Sequence, residues 1–285
     1  MPILSCRTRG RSRRTLPVNP AVGGRSMDAQ ELLRSGDLPG ARAMLAEELR
    51  RTPGDSRARQ FFWQLIAVAG DWDKASTQIR ALAAADPKAM MMANVYGQAL
   101  GAMKTRDAVF AGKEKPVSLV GQEPWVVGLL DALNAYTVVA PDAAARSEAA
   151  LAEAPATPGT LNGERFEWIA DADTRFGPML EVIVGDAYGF VPFAAVTRLK
   201  AIEPVDLRDF VLHAVEIELK SGQTSMAMIP VVYPGTHKHN KPQLNLARAT
   251  EWIDDGGGEI GVGQRIFTTD GPEVEFLALR DLRLD

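Results

Sequence analysis

Side chains suited to nucleophilic or metal chemistry are scarce in this sequence. The 285 residues include one cysteine, Cys6, and three histidines, His213, His237 and His239. A zinc site usually draws four cysteine or histidine ligands, and a catalytic thiol needs a histidine held beside it. The hydrolase patterns G-x-S-x-G and H-E-x-x-H do not occur in the sequence either. We therefore expect no catalytic residue, no metal site and no cofactor.

A run of charged residues at 171–177 starts like a calcium-binding loop. Asp171 and Asp173 would supply two carboxylates, but Arg175 stands where a third oxygen ligand is required. A guanidinium group in that position would repel the ion. We expect these three residues instead to shape a turn between two strands.

Glycines at 256–261 match the G-x-G-x-x-G pattern of dinucleotide-binding sites. Such a site needs a strand before the glycines and a helix after them. Here the pattern predicts the reverse order, with a helix over 243–253 and a strand after the glycines. The segment is therefore predicted to be a surface loop.

Composition places the chain among ordinary globular proteins. Apolar residues make up 46% and charged residues 24%. No apolar run approaches the roughly 18 residues that a membrane-spanning helix needs. The formal net charge of −4 gives no reason to expect nucleic acid as a partner. We expect neither a membrane nor a nucleic-acid partner, and the length suits about two domains.

The first 26 residues differ from the rest of the chain. They contain six arginines and no acidic residue, so the remainder carries a formal charge of −10. They lack the apolar stretch of a secretory signal. Because a helical pattern begins directly after Met27, residues 1–26 are predicted to be a disordered, dispensable leader that reflects a mis-assigned start.

The sequence matches itself when it is shifted by 34 residues. The aligned pairs are Gly36-Asp37 with Gly70-Asp71, Ala41 with Ala75, and Pro53 with Pro87. This period, with a helix, a tight turn, a second helix and a proline, is that of the tetratricopeptide repeat. The alanines would lie where the two helices of a unit cross closely.

The repeat and the pattern that follows it predict the fold class. Residues 27–154 are predicted to form a tetratricopeptide-like helical array, and residues 155–163 a linker rich in proline and glycine. Residues 164–285 carry short runs of β-branched and aromatic residues bounded by Gly, Pro or Asp. They predict a mainly antiparallel α+β domain, with helices expected over 193–199 and 243–253.

Polar residues recur in one slot of the first helix of each repeat. In tetratricopeptide arrays this helix lines the concave face, so amides there would form a rim and small apolar residues a floor. We expect a groove that binds a partner. Its predicted residues are Gln30, Arg34, Gln60, Gln64, Val68, Asn94, Gln98 and Ala102. The alternative is that glutamine is simply a good exposed helix former.

The order of these parts resembles the ImpE family, also called TagJ or SciE. The resemblance runs from about Met27 to the C-terminus. It rests on the opening repeat, Gly36 to Pro53, on 109–112 and 121–125, and on motifs of the second part. Six residues of those later motifs are expected to form a structural or contact cluster: Asp171, Asp173, Arg175, Trp252, Gln264 and Arg265.

The resemblance implies a cytoplasmic, non-enzymatic accessory protein of bacterial type VI secretion. Family members are thought to bind a helix of the small subunit of the contractile sheath. They are also linked to the AAA+ ATPase that disassembles contracted sheath. Two alternatives stay open at this stage. One is a tetratricopeptide adaptor or chaperone for an unrelated partner, and the other is an enzyme with an unrecognised acid pair in the second domain.

Overall fold

The computed structural model describes residues 28–256, 258–271 and 273–285, so the prediction for residues 1–26 lies outside it. Between residues 28 and 154 it contains seven α-helices. They are α1 (Ala29–Ser35), α2 (Leu38–Arg51), α3 (Ser56–Val68), α4 (Trp72–Ala85), α5 (Met90–Phe110), α6 (Pro124–Thr137) and α7 (Ala143–Glu153).

The repeated residues act at the ends and crossings of these helices. Asp37 and Asp71 each accept a hydrogen bond from the backbone N–H three residues later, which starts the second helix of a pair. Ala41 and Ala75 are completely buried. A larger side chain at either position would push the paired helices apart.

The rest of the chain forms strands, and every pairing of these strands with one another in the described residues is antiparallel. They are β1 (Gly159–Leu161), β2 (Glu164–Phe166), β3 (Ile169–Asp171), β4 (Met179–Val184), β5 (Ala187–Pro192), β6 (Val196–Ala201), β7 (Leu212–Leu219), β8 (Thr224–Pro230), β9 (Thr250–Asp254), β10 (Glu259–Gly263), β11 (Ile266–Thr269), β12 (Val274–Glu275) and β13 (Asp281–Leu284). The predicted fold class, helices followed by an antiparallel α+β part, is confirmed.

Eight strands share one sheet, in the order β2-β1-β13-β6-β7-β8-β4-β5. Strands β12, β11 and β3 form a smaller sheet, and β9 pairs with β10 as a hairpin. After α5 the chain runs along the β5 edge, where the Leu119 N–H donates to the Phe190 carbonyl at 2.8 Å. The segment between α5 and α6 thereby joins the helices to the sheet.

Alternate residues of a strand point to opposite faces of its sheet. Apolar side chains fill both faces of the large sheet. Met179 and Ile183 of β4 belong to the core shared with the helices. Leu180 and Val182 belong to a second core, enclosed by the strands. Position 181 points to the same side of β4 as Met179 and Ile183, so its side chain faces the helices.

Both helices predicted for the second part are wrong. Phe193–Ala195 is a single 3-10 turn that leads into β6, where Val196 and Leu199 are completely buried. At 243–253, the α-helix α8 (Pro242–Asn245) ends near Ala247, whose positive φ of 52° a helix cannot accommodate. The chain then forms β9, so the glycines at 256–261 belong to the β9–β10 hairpin.

Candidate functional site

The predicted groove residues fall into two groups in the structure. Gln30, Arg34, Asn94 and Gln98 are exposed, and Gln60 is half-buried. Three others are buried, with exposed fractions of 2% for Gln64, 5% for Val68 and 1% for Ala102. The prediction that these three face an open groove is wrong.

The second part of the chain packs against the two helices that carry these three positions, α3 and α5. A 3-10 helix, Leu207–Phe210, lies on α3, while α5 packs on β4 and β5. Arg208 of that 3-10 helix reaches α5, with its guanidinium 5.3 Å from the centre of the Tyr96 ring. Val68 lines a water-sized cavity of about 20 Å³ together with Phe210 and Val211. The protein thus covers part of its own predicted groove.

A buried ion pair joins the helices to the sheet. The Arg106 guanidinium of α5 donates to both carboxylate oxygens of Glu181, at 2.6 and 2.9 Å. It also donates to the Val232 carbonyl at 2.9 Å. Both side chains are almost fully buried. A bidentate pair of this kind is strongly directional, so it fixes how α5 sits on β4.

Arg265 extends this pair into a four-charge network. Its guanidinium donates to Glu181 and to Asp171, and all three side chains are fully buried. Two arginines then balance two carboxylates. We call Arg106, Asp171, Glu181 and Arg265 the buried network.

Two tyrosines complete the buried network. The Tyr188 hydroxyl donates to Glu181 at 2.6 Å, and the Tyr233 hydroxyl donates to Asp171 at 2.8 Å. The Phe176 ring centre lies 4.8 Å from the Arg265 guanidinium. Hydrogen bonds of this kind are needed because an unpaired buried charge is costly.

Burial and ion pairing shift the pKa values of the two carboxylates in opposite directions. Burial raises the pKa of Asp171 to about 6, although Arg265 opposes the shift. Burial also acts to raise the pKa of Glu181, but Arg106 and Arg265 together hold it below its ordinary value. Glu181 is therefore the carboxylate that both arginines keep ionised.

The structure brings Asp171, Asp173 and Arg175 together in one turn. The Arg175 guanidinium donates to both Asp173 oxygens, at 2.9 and 2.6 Å. Asp173 also accepts from the Gly261 N–H of β10 at 2.9 Å. On the helix side, Arg175 lies 5.3 Å from the centre of the Tyr136 ring of α6. These contacts join the turn to both the hairpin and the helices.

The other members of the predicted cluster lie around this turn. Gln264 is buried, and its amide donates to the Ala247 carbonyl at 2.9 Å and accepts from the Leu277 N–H at 3.1 Å. Trp252 is half-buried, with its ring centre 5.8 Å from that of Tyr233. All six residues therefore lie in or beside the region that the buried network stabilises.

Four residues that belong to the buried network or donate hydrogen bonds to it were not among the predicted site residues. They are Arg106, Glu181, Tyr188 and Tyr233. The position of Arg106 could have indicated its burial, because it lies on the same face of α5 as the buried Ala99 and Met103. The position of Glu181 could also have indicated burial, since this residue interrupts the apolar run of β4. A charge among residues of a buried face predicts a partner, but the sequence does not say which one.

The loop at 235–239 lies where the helices meet the second part of the chain. The partly buried His237 ring contacts the Trp72 ring edge-on at 6.2 Å, and Gly70 leaves the space that this imidazole fills. Burial lowers the pKa of His237, although Asp107 acts in the opposite direction. Burial also lowers the pKa of His213.

None of the helices in the described part of the chain is long and apolar enough to cross a membrane. Within the same residues, no group of three or more His, Cys, Asp and Glu side chains could hold a metal ion.

We predict that Arg106→Met lowers the free energy of unfolding by about 3 kcal/mol, because it removes one partner of a buried ion pair. Urea unfolding measures the loss. Lys104→Met is the control: it lies on the same helix with its side chain 53% exposed, and its effect should stay within about 0.5 kcal/mol. Equal losses in both variants would contradict the role given to Arg106.

We also predict that His237→Phe weakens the pH dependence of stability. The pKa of His237 is lower in the folded protein than in the unfolded chain, so the unfolded chain binds the proton more readily. The contribution of His237 to the free energy of unfolding should therefore fall as the pH drops below about 6.5. Urea unfolding at pH 7.5 and 5.5 measures this slope. His239→Phe, at an exposed neighbour, should retain the wild-type slope, and an unchanged slope in His237→Phe would refute the prediction.

Most of this chain is similar to known proteins. The pattern of a family described as "ImpE protein" matches residues 163–283. A protein of Pseudomonas aeruginosa named "Type VI secretion system accessory component TagJ" is 40% identical over 261 residues, which is 91% of this chain and 92% of that protein. The crystal structure of protein VPA1032 from Vibrio parahaemolyticus has the same fold, with a TM-score of 0.81 and 19% identity. The matched region covers 90% of this chain and 97% of the chain in the Vibrio structure.

Proposed function

This chain belongs to the ImpE family, and from that membership we propose that it is a non-enzymatic accessory component of a bacterial type VI secretion system. Its place of action would be the cytoplasm. Its partner would be the small subunit of the contractile sheath, which contributes a helix. A functional link to the AAA+ ATPase that disassembles the sheath would follow from holding this subunit.

An exposed apolar patch at the start of α5 carries this proposal. Met90, Met91 and Val95 are 53%, 80% and 45% exposed. Residues 91, 95 and 98 lie one turn apart on the same helix face, so the patch continues into Gln98. Large apolar side chains grouped at a surface favour contact with another protein.

The patch offers what a docked amphipathic helix requires. Such a helix places apolar residues on a floor at i, i+3, i+4 and i+7, while polar groups beside the floor fix its register. Met91 and Val95 supply the floor, and the exposed amides of Asn94 and Gln98 supply the polar groups. Methionine suits this task because its side chain is flexible and polarisable. We call Met90, Met91, Asn94, Val95 and Gln98 the α5 patch.

The α5 patch replaces the longer groove that the repeat predicts. The 3-10 helix Leu207–Phe210 already lies on α3, and its Arg208 reaches α5 at Tyr96. A partner helix that binds the α5 patch leaves that packing intact.

Calorimetric titration of the small subunit of a type VI contractile sheath into this protein tests the proposal. We expect Met91→Asp to weaken binding by at least about tenfold, since burying a methionine contributes about 1.5–3 kcal/mol and a buried carboxylate costs more. Met226→Asp is the matched control, because Met226 is 65% exposed on β8, and it should bind as wild type does.

Wild-type affinity in Met91→Asp would move the contact off α5. If the sheath subunit does not bind the wild-type protein at all, the partner is a different one. The chain would then be an adaptor of another kind, which is the alternative that the repeats alone support equally well.

A further inference from the structure

We propose that a surface cavity beside Trp252 binds a cationic side chain, lysine or arginine, of a protein partner. The cavity has a volume of about 330 Å³ and is open to solvent. Its lining residues come from the 172–174 turn, the β9–β10 hairpin, β11 and the segment after it. They are Ala172, Thr174, Trp252, Glu259, Thr268 and Glu273. None of them belongs to the α5 patch, so this inference stands independently of the proposed function.

Trp252 supplies an aromatic wall whose position is fixed from behind. Its ring is half-buried and packs against the Tyr233 ring at 5.8 Å between centres. Tyr233 is itself fully buried and donates its hydroxyl to Asp171 of the buried network. A rigid indole face attracts cations through its negative quadrupole, and it does so better than phenylalanine or tyrosine.

Two carboxylates, Glu259 and Glu273, line the same cavity and are exposed. Two cations of adjoining segments are already paired with acidic residues: Arg175 with Asp173, and Lys241 with Glu251. The cavity thus presents negative charge that these neighbouring cations do not neutralise. The Thr174 and Thr268 hydroxyls add hydrogen-bond acceptors for an ammonium or guanidinium group.

This lining favours an organic cation over a metal ion. Calcium takes six to eight oxygen ligands, many of them from the protein, and magnesium takes six in near-ideal octahedral geometry, several of them waters. The cavity is lined by two carboxylates, and no group of three or more acidic, histidine or cysteine side chains in the described ranges could hold a metal. An indole face is of no use to a hydrated divalent ion but stacks well on a guanidinium group. Arginine therefore fits best.

Titration of the full chain with N-acetyl-arginine amide, followed by two-dimensional NMR, tests the proposal. N-acetyl-citrulline amide is the matched neutral probe, since it has nearly the same shape without the charge. We expect the arginine probe to shift the Trp252 indole signal, and the citrulline probe to bind at least about fivefold more weakly.

The variant Glu259→Gln/Glu273→Gln should lose most of this difference, because it removes both charges from exposed positions without disturbing the core. Glu203→Gln, at another exposed glutamate, should behave as wild type does. Equal binding of the two probes to the wild-type protein would overturn the proposal. So would arginine binding that the double variant leaves unchanged, or the absence of any Trp252 shift.

Discussion

The bidentate pair between Arg106 and Glu181 is the interaction on which the rest of the structure depends. It places a charge from the helices against a charge from the sheet, with both side chains almost fully buried. Two buried charges are stable only in precise geometry, with their remaining donors and acceptors satisfied. Arg265, Tyr188 and the Val232 carbonyl supply those partners. The helices and the sheet are therefore held in one relative position.

That fixed position decides which surface is available for binding. With α5 packed on β4 and β5, the 3-10 helix Leu207–Phe210 lies on α3 and closes part of the predicted groove. The start of α5 also contacts this 3-10 helix, through Tyr96 and Arg208, but it leaves Met91 and Val95 exposed. A helical repeat that would otherwise present a continuous concave face is reduced to a short patch. The same packing holds Tyr233 behind Trp252, so both proposed binding surfaces depend on the buried network.

The sequence predicted what depends on local spacing and missed what depends on packing across the chain. The 34-residue period identifies the paired helices because caps such as Asp37 and alanines such as Ala41 act within one unit. Burial of Val68 could not be predicted, since Phe210 and Val211, which line a cavity together with it, lie more than 100 positions away. The helix predicted at 243–253 failed for a related reason: its apolar spacing fits a helix, but Trp252 packs on Tyr233 from a strand.

Hydrogen exchange measured by mass spectrometry, with and without the sheath small subunit, tests most directly whether the α5 patch is the binding surface. The fixed packing predicts added protection over residues 88–98 and unchanged exchange over 64–68 and 207–210. Protection along the whole face of α3, accompanied by faster exchange at 207–210, would contradict it. That result would mean that the partner displaces the 3-10 helix and binds the full groove.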